Sequence, residues 1–276
     1  MSDENHSKPE PNAKKSVDRA VLTDFKKSEL EHIAFQETIS THLVGIITRE
    51  GQDTASGTLI RYKKKRLILT ADHVFSITPV HEARFAFRSS GNLETAGLRQ
   101  FSGKPAPLLP GKTIRARRIV RDKLGDLCAV IFDDEEEVSP TAAFYDASTL
   151  RQFSLTDGVS LFYSGFPWDN SISVSNTIDA VGIVADHSHY DASLSARPEL
   201  LENFNKTRQF VVKYGWAGDL RPDGLSGAAV WCSRDSASPI WTPNLVLAGV
   251  VTTYNQSNKL LYSTILKRIL SLLRRL

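Results

Sequence analysis

Short apolar runs separated by polar turns recur along the chain from about residue 40 to its end. The runs are rich in Val, Ile, Leu, Phe, Tyr and Thr, and Gly, Pro, Asn, Asp or charged residues separate them, as is typical of β-strands joined by turns. Segments of helix length do not alternate with the runs, so the pattern predicts an all-β fold of barrels or sandwiches. The runs form two groups of six: HLVGIIT, SGTLIRY, RLILT, ARFAF, KTIRARRIV and LCAVIF, then VSLFYSG, TIDAVGIVA, RQFVVKY, GAAVWCS, LVLAGVVTT and LLYST.

This grouping predicts the domain organisation. The first six strands occupy residues 41–140, a connector occupies 141–157, and the second six strands occupy 158–276. Residues 1–20 are polar and without periodicity, which predicts a disordered tail. Apolar positions at helical spacing predict a short helix over 21–40.

The chain ends in a second helical pattern. Between residues 265 and 276, seven Ile and Leu residues line one broad face, and basic residues lie between them. A terminal helix docked on the second group of strands is the favoured interpretation. A helix lying on a membrane surface is the alternative.

Composition and charge exclude several classes of protein. With 41% apolar and 24% charged residues in 276, the chain can bury a large core and is not disordered throughout. No apolar run approaches the roughly 20 residues of a membrane-spanning helix. The net charge of +3 is too small to indicate a nucleic-acid partner. Two cysteines and no secretory signal favour a soluble, cytoplasmic protein.

Three polar clusters are interpreted as surface loops. Lys63–Lys65 lies between two strand-like runs and is expected to form a hairpin turn rather than an anion site. The acidic run Asp133–Glu137 lacks the alternating spacing of a calcium loop. His187 and His189 form an H-x-H with acids beside them, but no third ligand segment is visible, so a polar loop is favoured over a metal site. No metal and no cofactor is therefore predicted.

Three segments place a reactive side chain at the edge of an apolar run. His73 follows the strand in RLILTADHVF, Asp126 precedes the strand in RDKLGDLCAVIF, and Ser226 lies in a glycine-flanked turn in PDGLSGAAVW. A serine hydroxyl needs a base within hydrogen-bond reach, and histidine can take its proton and later return it. A carboxylate fixes the imidazole tautomer and stabilises the charged ring. These residue types together predict nucleophilic catalysis by a triad.

The sequence around the serine also supports an oxyanion site. Gly224 and Gly227 give the backbone freedom to turn N–H groups towards a developing negative charge, a contribution of several kcal/mol. The chain order His, Asp, Ser differs from the Ser, Asp, His order of α/β-hydrolases and the Asp, His, Ser order of subtilisin-type enzymes. It is the chymotrypsin-like order, which disfavours a small-ester hydrolase.

At these motifs the chain resembles the trypsin-like, chymotrypsin-fold serine peptidases, particularly their bacterial, disulfide-free forms. LILTADHV is similar to the family's histidine motif, GDLCAVI to its aspartate motif, and GLSGAAV to the segment around its nucleophile. GVSLFYSGFP resembles the first strand of the second barrel, and LAGVVTTYN the strand that flanks the substrate cleft. The resemblance covers about residues 40 to 276.

The resemblance implies two six-stranded antiparallel β-barrels with the active site between them, a C-terminal helix, and a serine endopeptidase that works through an acyl-enzyme intermediate. His73, Asp126 and Ser226 would be the triad, and the backbone N–H groups of Gly224 and Ser226 the oxyanion hole. A protein or peptide is the expected substrate, and a regulatory protein partner is compatible with the family.

The resemblance also implies where substrate specificity is set. Thr252 matches the position whose hydroxyl supports the triad aspartate, while Thr253 and Tyr254 would line the pocket entrance. Leu220 is expected at the pocket floor, which would favour small or medium apolar residues before the cut. If the register slips by one, Asp219 takes the floor and basic residues are favoured instead.

Leu225 departs from the family, which usually has Asp or Asn before the serine. In secreted members that Asp pairs with a newly cut N-terminus, so Leu225 argues against zymogen activation of this kind. It also motivates a second hypothesis, a catalytically idle pseudo-peptidase that binds proteins through the retained cleft.

Overall fold

The described part of the chain is mostly β-strand, as the sequence predicts. The structure is a computed structural model. It describes residues 38–39, 41–47, 54–77, 79–80, 83–87, 116–132, 143–155, 160–166, 171–173, 183–185, 188–193, 204–213, 222–233 and 245–276. The predicted tail and most of the predicted 21–40 helix lie outside these residues.

Strands from the first half of the chain form one sheet, in the order β4-β1-β2-β3-β6-β5 with antiparallel pairing. A short strand β7 pairs with β2 in parallel, and a 3₁₀ helix, Ala147–Thr149, follows it. A one-turn helix α1, Val74–Ile77, follows β3. The strands are β1 (Leu43–Ile47), β2 (Thr54–Tyr62), β3 (Lys65–Ala71), β4 (Arg84–Phe87), β5 (Ala116–Asp122), β6 (Leu127–Phe132) and β7 (Tyr145–Asp146).

Strands from the second half form a six-stranded antiparallel sheet in the order β11-β8-β13-β14-β15-β12. Two further short strands, β9 and β10, pair with each other. The chain closes with helix α2, Leu266–Arg274. The strands are β8 (Ser160–Gly165), β9 (Ser171–Ser173), β10 (Ile183–Ala185), β11 (Ser188–Ser193), β12 (Gln209–Lys213), β13 (Ala229–Ser233), β14 (Leu245–Asn255) and β15 (Leu260–Ile265).

Continuous apolar runs in the first sheet occur because its central strands are buried on both faces. Successive side chains of a strand point to opposite faces. In β6, Cys128 and Val130 face the core of the first sheet, whereas Leu127 and Ala129 face a second core that includes residues of β13, β14 and α2. The run LCAVIF therefore joins the two halves of the molecule.

Helix α2 packs against the second sheet, as expected, and also against strands of the first. Its apolar face is buried among residues of β3, β5 and β6 as well as β13 and β14. Arg268 of the helix forms an ion pair with Asp122 at the end of β5. No helix among the described residues is long and apolar enough to cross a membrane.

Two of the polar clusters fall within the described residues. Lys63 and Lys64 form the turn between β2 and β3, as predicted. His189 lies in β11, paired with β8, so the expectation of a polar loop is wrong there. Polar side chains obscured this strand, because the alternation of apolar residues that marks a strand is weak in SHYDAS. His187 and the acidic run lie outside the described residues.

Truncation of a helix residue measures how strongly α2 is held. Ile269 is fully buried between the sheets, so Ile269→Ala should lower the free energy of unfolding by about 2–5 kcal/mol. Chemical denaturation provides the measurement. Ser271→Ala, at an exposed position of the same helix, is the matched control and should change stability little. Equal stability of the two variants would contradict the packing described here.

Candidate active site

His73 lies in the turn between β3 and α1. The last residues of β3 are fully buried, and the chain then turns through Asp72 and His73. The carbonyl of Asp72 accepts a hydrogen bond from Phe75 N, and that of His73 from Ser76 N. These bonds fix the backbone of His73 while leaving its imidazole about half exposed.

Asp126 lies immediately before β6, as the sequence predicts. Its φ is +48°, a left-handed conformation that Asp tolerates better than most residues. Two hydrogen bonds hold the loop that carries Asp126. Thr264 in β15 donates its hydroxyl to Gly125 O at 2.6 Å, and Asp72 N donates to Asp126 O at 3.1 Å.

Ser226, the predicted nucleophile, lies in a tight turn between Pro222 and β13 (residues 222–228, the nucleophile turn). Leu225 N donates to Pro222 O at 2.9 Å, and Gly224 has φ +93°. A residue in this conformation at the third position of a hydrogen-bonded turn is typical of a type II turn and favours glycine. Gly227 has φ +90°, and a Cβ there would lie 2.0 Å from Ser56 O. Both flanking glycines are therefore structural requirements.

The three side chains meet in a hydrogen-bonded chain. Asp126 accepts two hydrogen bonds from His73, one from the backbone N at 2.9 Å and one from Nδ1 at 2.7 Å. The Nε2 atom of His73 lies 3.0 Å from Ser226 Oγ. Because Nδ1–H donates to the carboxylate, Nε2 is left as the acceptor for the serine hydroxyl.

Two backbone N–H groups of the turn are available for a ligand. The N–H groups of Leu225, Gly227 and Ala228 donate to carbonyls of Pro222, Val251 and Leu225, respectively. By contrast, the N–H groups of Gly224 and Ser226 have no acceptor among the described residues. They can therefore bind an oxyanion at the serine without breaking a hydrogen bond to any described residue.

Charges around His73 raise its pKa above the ordinary value of 6.5. The hydrogen bond to Asp126 is the largest cause, burial opposes it, and the negative charges of Asp126 and Asp72 add to it. Burial raises the pKa of Asp72, and Arg121 counteracts that effect. Arg121 Nη1 lies 3.2 Å from Asp72 Oδ1, so this second carboxylate also has a cationic partner.

The described cysteines do not offer a competing nucleophile. Cys128 and Cys232 are both buried thiols outside any disulfide, in agreement with the prediction that they behave as small apolar residues. Burial raises the pKa of the Cys128 thiol to about 12, so the reactive thiolate is suppressed. The described residues contain no group of three or more side chains that could hold a metal.

The predicted specificity residues are only partly described. Asp219 and Leu220 lie outside the described residues, so the pocket floor stays a prediction. The strand that carries Thr252 does lie beside the nucleophile turn, because Gly227 N donates to Val251 O at 2.8 Å and Val251 N donates to Ala228 O at 2.8 Å.

Thr252 differs from what the resemblance implied. Its side chain is buried, and its hydroxyl donates to Tyr262 O at 3.2 Å. A hydroxyl has one proton, so the bond that was expected to support Asp126 is not made. Thr253 is exposed and Tyr254 is partly exposed, and their place at a pocket entrance stays a prediction. Burial is the larger cause that raises the pKa of Tyr254, and the negative charge of Asp223 in the turn adds to it.

Sequence reasoning missed three residues that hold the site. Ser56 contacts the nucleophile turn, Thr264 holds the Asp126 loop, and Arg268 pairs with Asp122, the last residue of β5 before that loop. A polar residue within an apolar strand was the available signal for Ser56 and Thr264. The partner of each residue is more than a hundred positions away in the chain, so the sequence pattern did not identify it.

Comparison with known proteins supports the architecture. No protein-family profile matches the chain, and no curated protein matches it. Human heparin binding protein, a solved structure, matches with a TM-score of 0.53 at 11% identity, over 86% of this chain and 93% of that chain. A structure of HBP at atomic resolution matches with a TM-score of 0.53 at 12% identity, over 85% and 92%. The chain has the chymotrypsin fold.

The chymotrypsin fold of two β-barrels with a C-terminal helix is therefore confirmed. At 11–12% identity these likenesses establish the fold and not the activity. They do not bear on the expected bacterial, disulfide-free kind, which stays a prediction.

The raised pKa of His73 gives a test by pH. A base must be neutral to accept a proton, so we expect kcat/KM to rise with pH through a midpoint above 6.5. Asp72→Asn removes a negative charge that stabilises the imidazolium, and the midpoint should move to lower pH. Asp146→Asn removes an equal charge at a site that does not act on His73 and should leave the midpoint in place. A midpoint that stays or rises in Asp72→Asn would contradict the electrostatics described above.

Proposed function

We propose that this chain is a serine endopeptidase that cleaves a protein or peptide through an acyl-enzyme. The observation that carries the proposal is the continuous hydrogen-bonded chain from Asp126 through His73 to Ser226, at 2.7 and 3.0 Å. The residue types, the tautomer and the distances match what a triad requires. The N–H groups of Gly224 and Ser226, which have no acceptor among the described residues, support the same function.

In the first half-reaction, Ser226 Oγ attacks the carbonyl carbon of the scissile peptide while Nε2 of His73 takes the hydroxyl proton. The carbonyl oxygen becomes an oxyanion, which accepts hydrogen bonds from the N–H groups of Gly224 and Ser226. Asp126 stabilises the imidazolium through Nδ1–H. The imidazolium then gives its proton to the leaving amine, the C–N bond breaks, and the acyl group stays on Ser226.

In the second half-reaction, water replaces the amine. His73 Nε2 takes a proton from the water as its oxygen attacks the acyl carbonyl, and the same N–H groups bind the second oxyanion. The proton returns to Ser226 Oγ as the ester bond breaks. The products are a carboxylic acid and the regenerated serine.

Leu225 no longer favours the pseudo-peptidase hypothesis. Its side chain is fully buried among Leu161, Tyr163 and Ala228 in the core of the second barrel. This packing anchors the nucleophile turn by burial of apolar surface, in place of the ion pair with a newly cut N-terminus. We therefore propose that the turn has its working shape without proteolytic activation.

The residues expected at the pocket floor, Leu220 or Asp219, lie outside the described residues. The proposal includes small or medium apolar residues before the cut, with Leu220 at the pocket floor, or basic residues if Asp219 takes that place. A cytoplasmic location and a regulatory protein partner are part of the proposal as well.

Labelling with a fluorophosphonate probe and peptide turnover test the proposed function together. The wild type should be labelled at Ser226 and should hydrolyse peptides. His73→Ala and Ser226→Ala should each lower kcat on the order of 10⁶-fold, and the double variant should be no worse, because triad members act as a unit. Asp126→Asn should lower kcat about 10⁴-fold by favouring the wrong tautomer.

Ser76→Ala is the matched control, since Ser76 is an exposed serine in α1, close to His73 in the sequence. It should keep both labelling and turnover. A folded wild type that is never labelled at Ser226 and cleaves no peptide would refute the proposed function.

A further inference from the structure

Ser56 is a fully buried serine in β2 of the first barrel, and its hydroxyl bridges two groups of the second barrel. The hydroxyl donates a hydrogen bond to Gly224 O at 2.7 Å and accepts one from Phe166 N at 2.9 Å. Gly224 lies in the nucleophile turn, and Phe166 directly follows β8. The hydroxyl thus both donates and accepts a hydrogen bond, with both partners on the opposite barrel.

The backbone of Ser56 contacts the same turn. Ser56 N donates to Ser226 O at 2.8 Å, and Ser56 O accepts a hydrogen bond from the Thr70 hydroxyl at 2.7 Å. One residue of the first barrel therefore binds two alternate carbonyls of the turn, those of Gly224 and Ser226. Thr70 in turn ties Ser56 to the neighbouring strand β3, which leads to His73.

The contact is too close for a water layer. A Cβ at Gly165 would lie 2.7 Å from Ser56 Oγ and 2.7 Å from Leu225 Cδ2. A Cβ at Gly227 would lie 2.0 Å from Ser56 O. The side chains of Ser56 and Leu225 thus both lie against Gly165, and β2 contacts the turn directly.

Ser56 fixes the plane of the Gly224–Leu225 peptide. Its hydroxyl holds the carbonyl end, and Pro222 O holds the N–H end at Leu225. Gly224 lacks a side chain that would restrict its own torsions, so the orientation of its N–H depends on the peptides on either side. Without the hydroxyl, Gly224 O and Phe166 N would both lose a buried partner, which is costly.

We propose that Ser56 is a positioning residue, whose hydroxyl holds the nucleophile turn so that Gly224 N–H serves as an oxyanion donor. The inference rests on the proposed function and adds to it a specific source of preorganisation. It also assigns a catalytic consequence to the barrel interface, because the donor is on one barrel and the residue that orients it is on the other.

Steady-state kinetics of Ser56→Ala on a peptide substrate test the inference. The oxyanion forms after the substrate binds, so we expect kcat to fall about 10–100-fold, less than the loss from removal of a donor outright, with KM within about twofold. Thr58→Val is the matched control, since Thr58 is a buried residue of the same strand whose hydroxyl has no hydrogen bond among the described residues. It should leave kcat unchanged.

Amide hydrogen exchange provides a readout that does not depend on activity. In Ser56→Ala, the N–H groups of Phe166 and Leu225 should exchange faster, while those of β14 and β15 should remain as protected as in the wild type. This result would show that the barrel stays folded while the turn is released.

Two kinetic outcomes would overturn the inference: an unchanged kcat in Ser56→Ala, with or without a change in KM, or an equal loss in Thr58→Val. Unchanged exchange at Phe166 would also overturn it, whatever the kinetics. Failure of the proposed function is distinguishable, because the wild type itself would then lack both turnover and labelling at Ser226. The catalytic part of the inference would fall with it.

Discussion

The structure depends on a direct hydrogen-bonded contact between a strand of the first barrel and the nucleophile turn of the second. Ser56 N and Oγ bind the carbonyls of Ser226 and Gly224. The three side chains of the proposed triad are divided between the barrels in the same way, since His73 and Asp126 belong to the first and Ser226 to the second. The distance of 3.0 Å between His73 Nε2 and Ser226 Oγ is kept only if the two barrels hold fixed positions relative to each other.

Burial of apolar surface between the two barrels keeps them in these positions. Strands β3 and β6 are apolar on both faces, and the face turned away from the first core packs against β13, β14 and α2. Helix α2 also contacts the segment that leads to Asp126, because Arg268 of the helix pairs with Asp122. Thr264 of β15, the strand before the helix, donates its hydroxyl to Gly125 O. The left-handed conformation of Asp126 is therefore supported from the C-terminal end of the chain.

The sequence predicted those parts of the molecule that local patterns encode. Runs such as LILTA and LCAVIF identified strands, and the positions of His73, Asp126 and Ser226 at strand edges followed from them. The pairing of Ser56 with Gly224 and of Thr264 with Gly125 was not predictable, since both contacts are made by the fold rather than by neighbouring residues. The resemblance predicted the strand position of Thr252 but not its hydrogen bond, because the hydroxyl donates to Tyr262 O instead of to Asp126. The strand at Ser188–Ser193 was missed because its residues are mostly polar.

The proposed mechanism requires a covalent intermediate on Ser226, formed in a site that is preorganised across the barrel interface. Acid quench of the wild type during turnover of a peptide ester, followed by mass spectrometry, tests this most directly. We expect an added acyl mass that maps to the peptide containing Ser226 and that is absent in Ser226→Ala and also in His73→Ala. Turnover without such an adduct, or an adduct on another residue, would contradict it.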